Sequence, residues 1–302
     1  MKKMIIGNNI YKRYSNDPVI KGVDINLKAG SIYGLIGPNG AGKTTLIKLL
    51  AGIYMPDEGS VTLDGIDIAS SHEIRSCIGY VPDNLNFYPT FTVKEMKEFY
   101  KGMCKNWNEE RYQILREIFT FSEKKRIKHL SKGMKTQLSL LINLSCMPKV
   151  ILMDEPTSGL DPFVRREVLN LIVQDVSSRD TSVLISTHNI SELEQVSDRV
   201  GFMDKGKIIL QDDMEDLKYK YKKIQIAFET AMPKAFEEEF KLLSIKHYGK
   251  VYEIVIDEHY EIFKSNAIKY NPIIMEKLDM TLEEIFIHRM GGEGYAVKNI
   301  AI

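Results

Sequence analysis

Cysteine is scarce in this sequence, with three among 302 residues. Cys77, Cys104 and Cys146 are odd in number and widely spaced, and they show no pattern of metal ligands. Because the cytosol keeps thiols reduced, we predict free, reduced thiols in a cytosolic protein.

Long apolar runs are also missing. The longest apolar region, LSLLINLSCMPKVILM, is interrupted by Ser145, Pro148 and Lys149, and it falls short of the roughly 20 residues that a membrane span requires. The N-terminal MKKMIIGNNI contains lysines but too short an apolar stretch for a signal peptide. We therefore expect a chain that does not cross a membrane unaided.

The sequence has no excess of charge of either sign. Lysine plus arginine and aspartate plus glutamate both total 41, so the zero net charge offers no general argument for a nucleic-acid partner. We find no repeats, low-complexity segments or Gly/Ser-rich linkers. The hydrophobic fraction of 44% is enough for a real core, in a length that suits one large domain or two ordinary ones.

Strand and helix patterns alternate along most of the chain. Short strands and turns are predicted first, then a helix over 43–51 and a hairpin at Asp64-Gly65. Helical spacing dominates 92–144, and the strands KVILMDEP and TSVLISTH flank a helix that begins near Pro162. This alternation predicts a parallel sheet flanked by helices, which a hairpin in RVGFMDKGKIIL closes.

The C-terminal segment has a different character. KIQIAFE and KVYEIVI alternate as strands, PKAFEEEFKLL and HYEIFKSNAI have helical spacing, and Thr281 and Glu284 stand at capping-box spacing before a last helix. We predict an α/β domain over 1–215, with a helical subdomain at about 88–148, and a small α+β domain over 222–302.

The segment GPNGAGKTT stands between a short apolar strand and a helix. It fills the pattern G-x-x-x-x-G-K-[ST], in which glycines let backbone N–H groups wrap phosphate oxygens. Lys43 is predicted to reach the β- and γ-phosphates and the Thr44 hydroxyl to hold Mg²⁺, while the helix N-terminus attracts the anion. The predicted nucleoside triphosphate site consists of Gly37, Pro38, Asn39, Gly40, Ala41, Gly42, Lys43, Thr44 and Thr45.

Two acidic residues follow the apolar run VILM at the predicted carboxyl edge of the sheet, where open α/β sheets bind ligands. Asp154 is suited to orient Mg²⁺ through water, and Glu155 to act as the general base that polarises the attacking water. The alternative, a purely structural pair, is disfavoured because adjacent buried carboxylates repel. His188 ends another strand at this edge, either as a contact for the γ-phosphate or attacking water or as an ordinary side chain.

Together these motifs resemble the ATP-binding subunit of ABC transporters over about residues 4–215. LSKGM at 130–134 stands where the family has its signature, usually L-S-G-G-Q; SGLD at 158–161 matches the D-loop, and STH ends at the switch histidine. The resemblance implies a P-loop NTPase fold, in which a parallel-sheet core carries an antiparallel β subdomain and a helical subdomain. It also implies ATP and Mg²⁺ as ligands and ATP hydrolysis coupled to transport.

In that family two nucleotide domains pair head to tail. The resemblance implies that Ser131 and the Gly133 amide contact the γ-phosphate of the ATP bound by another copy, while Asp161 lies at the seam. Without the resemblance, Ser131 would be an ordinary helix cap. Tyr14 matches the aromatic residue that stacks on adenine, with strand packing as the alternative and Tyr11 as its rival.

The sequence departs from the family pattern at two places. Asp83 stands at the position of the Q-loop glutamine, and we predict that its carboxylate offers oxygen to Mg²⁺ or water. Lys132 and Met134 occur within the signature. The lysine either adds charge near the triphosphate or points to solvent, and we favour solvent.

We interpret the chain as a cytoplasmic ATPase subunit, peripheral on the inner face of the membrane, that powers separate transmembrane permease subunits. Its dimer partner is a second copy or a related subunit. The ending MTLEEIFIHRM resembles exporter subunits of the drug, bacteriocin or antimicrobial-peptide resistance type, which favours export. The residues of an aromatic segment form either a docking patch for the permease or a buried cluster under a loop: Phe87, Tyr88, Pro89 and Phe91.

Two other functions stay open. One is a soluble ABC-type ATPase acting on ribosomes or DNA, which the single nucleotide domain, the lack of heptads and the zero net charge disfavour. The other is a regulatory subunit with little turnover, suggested by Asp83 and Lys132.

Overall fold

The computed structural model describes residues 3–240, 242–257 and 259–291. These residues divide into two compact units. The first contains the chain up to Asn189 together with Val196–Gln211, and the second contains Ile190–Gln195 and the chain from Asp212 onward. The sequence had placed the division between residues 215 and 222.

The early and central part of the chain contains ten strands and six helices among its described residues. The strands are β1 (Lys3–Tyr14), β2 (Asp17–Lys28), β3 (Ile32–Ile36), β4 (Glu58–Leu63), β5 (Ile66–Asp67), β6 (Ile78–Val81), β7 (Val150–Asp154), β8 (Ser182–Thr187), β9 (Arg199–Asp204) and β10 (Lys207–Asp213). The helices are α1 (Lys43–Leu50), α2 (His72–Arg75), α3 (Val93–Met103), α4 (Glu109–Ile118), α5 (Lys132–Ser145) and α6 (Pro162–Arg179).

A six-stranded sheet forms the centre of the first unit, in the order β10-β9-β3-β8-β7-β6. Strands β6, β7, β8, β3 and β9 pair in parallel, which confirms the predicted parallel core. Because helices cover both faces of such sheets, its strands read as unbroken apolar runs, and every residue of β3 and β7 is buried. The carboxyl ends of β3, β7 and β8 therefore meet at one edge.

A second, antiparallel sheet has the order β2-β1-β4-β5. Its first two strands are each 12 residues long, so the prediction of short strands before residue 36 was wrong. The predicted hairpin is present, since Asp64 and Gly65 both have positive φ, as a two-residue type I′ turn requires. Apolar residues of β1 and β2 pack into the same core as α1.

The helices α3, α4 and α5 lie between β6 and β7 in the chain, and each begins at a polar cap. The caps are Thr92, which forms a full capping box with Glu95, then Asn108 and Ser131. The prediction of three reduced thiols was wrong: Cys104 and Cys146, which end α3 and α5, form a disulfide, and Cys77 is free. Residues 42 apart meet only because the two helix ends pack side by side, which spacing in the sequence does not reveal.

The second unit contains α7 (Ile190–Val196) except for its last residue, followed by α8 (Met214–Lys220), β11 (Lys222–Ala227), α9 (Lys234–Glu239), β12 (Leu242–Tyr248), β13 (Val251–Ile256), α10 (Tyr260–Ala267), β14 (Ile274–Leu278) and α11 (Leu282–Gly291). From β11 onward this is a β-α-β-β-α-β arrangement with antiparallel strand order β12-β13-β11-β14, a ferredoxin-like topology. Sequence patterns missed β12 and β14, because both are edge strands with several exposed residues. The predicted capping box at Thr281 and Glu284 is confirmed.

No helix in the described ranges combines the length and the apolar character needed to span a membrane.

Candidate nucleotide site

The loop between β3 and α1 holds the predicted phosphate-binding residues. Gly37 is buried, and a Cβ at this position would lie 2.3 Å from the carbonyl oxygen of Met203, so glycine alone fits. Gly42 has a φ of 106° and precedes α1 without any side-chain cap, which leaves the first N–H groups of the helix for a ligand. The other loop residues differ in exposure: Asn39 and Gly40 are exposed, Pro38 and Thr45 are half-buried, and Ala41 is buried.

Lys43 is the buried cation of this loop, with 8% of its surface exposed. Its Nζ donates to the carbonyl oxygens of Gly37 at 2.7 Å and Pro38 at 3.3 Å. Burial lowers the pKa of Lys43, and the nearby carboxylates of Glu155 and Asp154 oppose that shift. The ammonium group of Lys43 is already buried and bound by carbonyl oxygens of its own loop. Phosphate oxygens can therefore replace these carbonyl oxygens without any further burial of the charge.

The predicted magnesium ligands Thr44 and Asp154 are brought together. The Thr44 hydroxyl donates to Asp154 Oδ2 at 2.7 Å, and the Ser186 hydroxyl donates to Asp154 Oδ1 at 2.6 Å. Asp154 is only 3% exposed, and the parallel register places it opposite Ser186. Sequence reasoning missed Ser186; its signal was a small polar residue at the end of β8, two before His188.

Hydroxyl and carboxylate oxygens are the ligands that Mg²⁺ prefers, so Thr44 and Asp154 fit this ion. Within the described ranges, no group of three or more histidine, cysteine, aspartate or glutamate side chains is arranged to hold a metal. Mg²⁺ is usually held by one or two protein groups together with substrate phosphates and water.

Glu155 and His188 form the second half of the site. Glu155 Oε2 lies 2.8 Å from His188 Nδ1, and the Glu155 side chain is 17% exposed. The backbone of Glu155 has a φ of 51°, an uncommon conformation for glutamate, and its N–H donates to the carbonyl of Ser186 at 3.0 Å. The strained turn directs the carboxylate toward His188 rather than along the strand.

The predicted signature residues lie at the N-terminus of α5. Ser131 caps this helix, accepting from the Met134 N–H at 3.2 Å. A Cβ on Gly133 would lie 2.5 Å from the carbonyl oxygen of Gly159, so the signature segment packs closely on the D-loop of its own chain. Asp161 caps α6, where its Oδ1 accepts from two backbone N–H groups at 3.1 and 3.0 Å.

Asp83 and Lys132 contact each other, which neither prediction foresaw. Lys132 Nζ lies 2.8 Å from Asp83 Oδ1 and 3.5 Å from Ser158 Oγ. The Lys132 side chain is 55% exposed, in line with the prediction that it points to solvent, but its charge is paired with Asp83. The physical reason is that a lysine in the first turn of a helix opposes the helix dipole, and a nearby carboxylate offsets that cost. Metal binding by Asp83 stays a prediction.

Tyr14 ends β1 with 44% of its surface exposed, and its ring contacts the edge of Tyr54 at a centroid distance of 6.1 Å. Its rival Tyr11 is half-buried, with its hydroxyl against Gly22. Tyr14 is thus the more exposed of the two rings, and its stacking on adenine stays a prediction.

The aromatic segment after β6 lies at the surface. Tyr88 packs against Phe91 and Phe99 with centroid distances of 5.1 and 5.7 Å, yet Tyr88 is 54% exposed and Phe99 40%. This exposure argues against the alternative of a buried cluster under a loop.

The chain is similar to known proteins. A family model described as ABC transporter matches residues 20–158. The chain is 33% identical over 290 residues to the ABC transporter ATP-binding protein YtrB of Bacillus subtilis (strain 168), covering 96% of this chain and 99% of that protein. It is 29% identical over 310 residues to the bacitracin transport ATP-binding protein BcrA of Bacillus licheniformis, with coverages of 97% and 99%. A solved structure described as the ATP binding subunit of an ABC transporter superposes with a TM-score of 0.66 at 25% identity, over 71% of this chain and 92% of that one.

Proposed function

The chain belongs to the ATP-binding subunits of ABC transporters, and on that premise we propose that it hydrolyses MgATP to drive export through separate membrane subunits. The observation that carries the proposal is the grouping of Lys43, Thr44, Asp154, Glu155 and His188 at one edge of the parallel sheet. This edge combines a cation, oxygen ligands and a candidate base, as phosphoryl transfer to water requires.

Each side chain has a distinct role in this proposal. Lys43 exchanges its bonds to loop carbonyls for bonds to the β- and γ-phosphates, and the uncapped N-terminus of α1 adds N–H donors. Thr44 and Asp154 would hold Mg²⁺, which neutralises charge on the phosphates when it is bound. Glu155 accepts a proton from the attacking water, and His188, within 2.8 Å of that carboxylate, orients it.

The second half of the proposed site comes from another copy. Ser131 and Gly133 lie at the start of α5, packed on their own D-loop, and would cover the γ-phosphate held by the second subunit. Asp161 lies at the start of α6, where it would face the seam between copies. Closure of such a dimer on ATP is the proposed power stroke.

Export is supported by a relative that is named for Nod factor export. The segment with Phe87, Tyr88, Pro89 and Phe91, in which the ring of Tyr88 is exposed, is the proposed docking patch for the permease at the cytoplasmic face of the membrane.

The test is ATP hydrolysis by the chain together with its membrane partner in proteoliposomes. Glu155→Gln should bind ATP but hydrolyse it about 10²- to 10⁴-fold more slowly, because the amide cannot accept the proton. Glu117→Gln, an exposed substitution of the same kind in α4, is the matched control and should keep full activity. Equal rates for Glu155→Gln and Glu117→Gln would refute the proposed role of Glu155.

A further inference from the structure

Three loops of the first unit meet at Lys132. Its Nζ bonds Asp83 in the loop after β6 at 2.8 Å, and it reaches Ser158 of the D-loop at 3.5 Å. The next residue, Gly133, packs so closely on the Gly159 carbonyl that a single Cβ would leave only 2.5 Å. One lysine thus joins the signature segment to two other loops of the same chain.

The other end of the pair lines a cavity that also contains the proposed Mg²⁺ ligands. Asp83, Thr44 and Asp154 line one cavity of about 910 Å³. The carboxylate of Asp83 is therefore on the side where Mg²⁺ is proposed to bind. The lysine, beside Ser131 and Gly133, is on the side where the triphosphate of a second copy is proposed to bind. Mg²⁺ bound beside Thr44 and Asp154 would compete with Lys132 for the Asp83 carboxylate, which gives ATP loading a way to open the pair.

We propose that the ion pair between Asp83 and Lys132 is an intrachain latch, which holds the signature segment in its nucleotide-free position and opens when ATP loads and two copies close. This inference rests on the proposed head-to-tail arrangement for its opening step, but not for the latch itself. The two residues are positioning residues: they act on where Ser131 and Gly133 lie. Because the side chains are 55% and 34% exposed, the latch is weak enough to open.

The latch predicts a specific coupling between two substitutions. In the nucleotide-free chain, Lys132→Met should speed amide hydrogen exchange over 131–134 and 158–160 by about two- to five-fold, the range for an exposed ion pair. In an Asp83→Asn background, Lys132→Met should change nothing further, because the pair is already broken. Lys135→Met, which removes the same charge one turn along α5, is the control and should have no effect in either background.

A second measurement tests the opening step. In the Glu155→Gln chain, dimerisation by sedimentation should require about two- to five-fold less ATP with Lys132→Met than with Lys132 intact. That shift should also vanish in the Asp83→Asn background. A double-mutant cycle separates the interaction between Asp83 and Lys132 from any independent effect of Asp83 on Mg²⁺ binding.

The outcomes distinguish the latch from the proposed function. Equal exchange rates with and without Lys132, or additive effects of the two substitutions, would overturn the latch. Coupled exchange without any ATP-dependent dimer would uphold the intrachain contact and overturn the head-to-tail function. If hydrogen exchange were coupled but Lys132→Met left the ATP concentration needed for dimerisation unchanged, the opening step would be overturned.

Discussion

Replacing Gly133 by alanine should disable the signature segment while leaving the chain folded. The added Cβ would lie 2.5 Å from the carbonyl oxygen of Gly159, whereas ordinary contact begins at 3.4 Å. The two segments must separate by about 0.9 Å, the difference between these distances. The opposing atom is backbone, so a segment has to move rather than a side chain.

The magnitude of the effect follows from that displacement. A shift of about 1 Å in a substrate-positioning element costs on the order of 10²-fold in rate. The cost in free energy of unfolding should be about 1–3 kcal/mol, the usual range for overpacking. A domain with about 5–15 kcal/mol of stability remains folded after such a loss. Activity should therefore fall far more than the folded fraction does.

The assay is ATP hydrolysis with the membrane partner, paired with thermal unfolding of the same preparations. Gly102→Ala is the matched control, because nothing lies within 4 Å of a Cβ at that position in α3. It should keep full activity and gain about 0.5–1 kcal/mol from the better helix former. If Gly133→Ala kept the rate of Gly102→Ala, the argument from close packing against Gly159 would be refuted.

Three further predictions concern other contacts. Ser186→Ala leaves one oxygen of the buried Asp154 without its donor, so we expect a loss of about 1–3 kcal/mol and a higher Mg²⁺ requirement for hydrolysis. Reduction of the Cys104–Cys146 disulfide should remove about 4 kcal/mol of loop-closure stabilisation and lower the unfolding midpoint by about 10 °C. Burial lowers the pKa of His288 below its ordinary value of about 6.5, so at mildly acidic pH the unfolded chain binds a proton at this residue and the folded chain does not. The free energy of unfolding should therefore fall as the pH drops below about 6.5.

Each of these predictions has its own control. Ser182→Ala breaks a buried bond to the Lys28 carbonyl, so it should cost similar stability without changing the Mg²⁺ requirement. Cys77→Ser should leave the effect of reductant on the unfolding midpoint unchanged. An unfolding midpoint that stayed the same when reductant was added would contradict the loop-closure argument. His288→Gln should flatten the loss of stability below about pH 6.5, and an unchanged pH dependence would contradict the role of His288.

The parts of the fold that were predicted correctly are those with local signals. The hairpin at Asp64-Gly65, the helix from Lys43, the capping box at Thr281 and the buried strands each depend on residues within a few positions of one another. The family prediction, built from five short motifs in order, is confirmed by a relative that aligns with 96% of the chain. The edge strands β12 and β14 were missed because exposed strands lose the apolar alternation that reveals buried ones.

The chemistry of the phosphate loop could be predicted from the order of its residues alone. Glycines, a lysine and a threonine at fixed spacing act through backbone geometry within nine consecutive residues, so their order alone implies a phosphate site. The same holds for Asp154 and Glu155, whose position at the end of an apolar strand implies the ligand edge of a sheet.

Contacts between distant segments were decided only by the tertiary structure. The hydrogen bond from Ser186 to Asp154, the disulfide and the pairing of Asp83 with Lys132 join residues 32, 42 and 49 positions apart. Such contacts depend on strand register and on which helix ends pack together, and neither is encoded in local spacing. A lysine in the signature reads as a solvent-facing side chain until the fold brings a carboxylate within 2.8 Å of it.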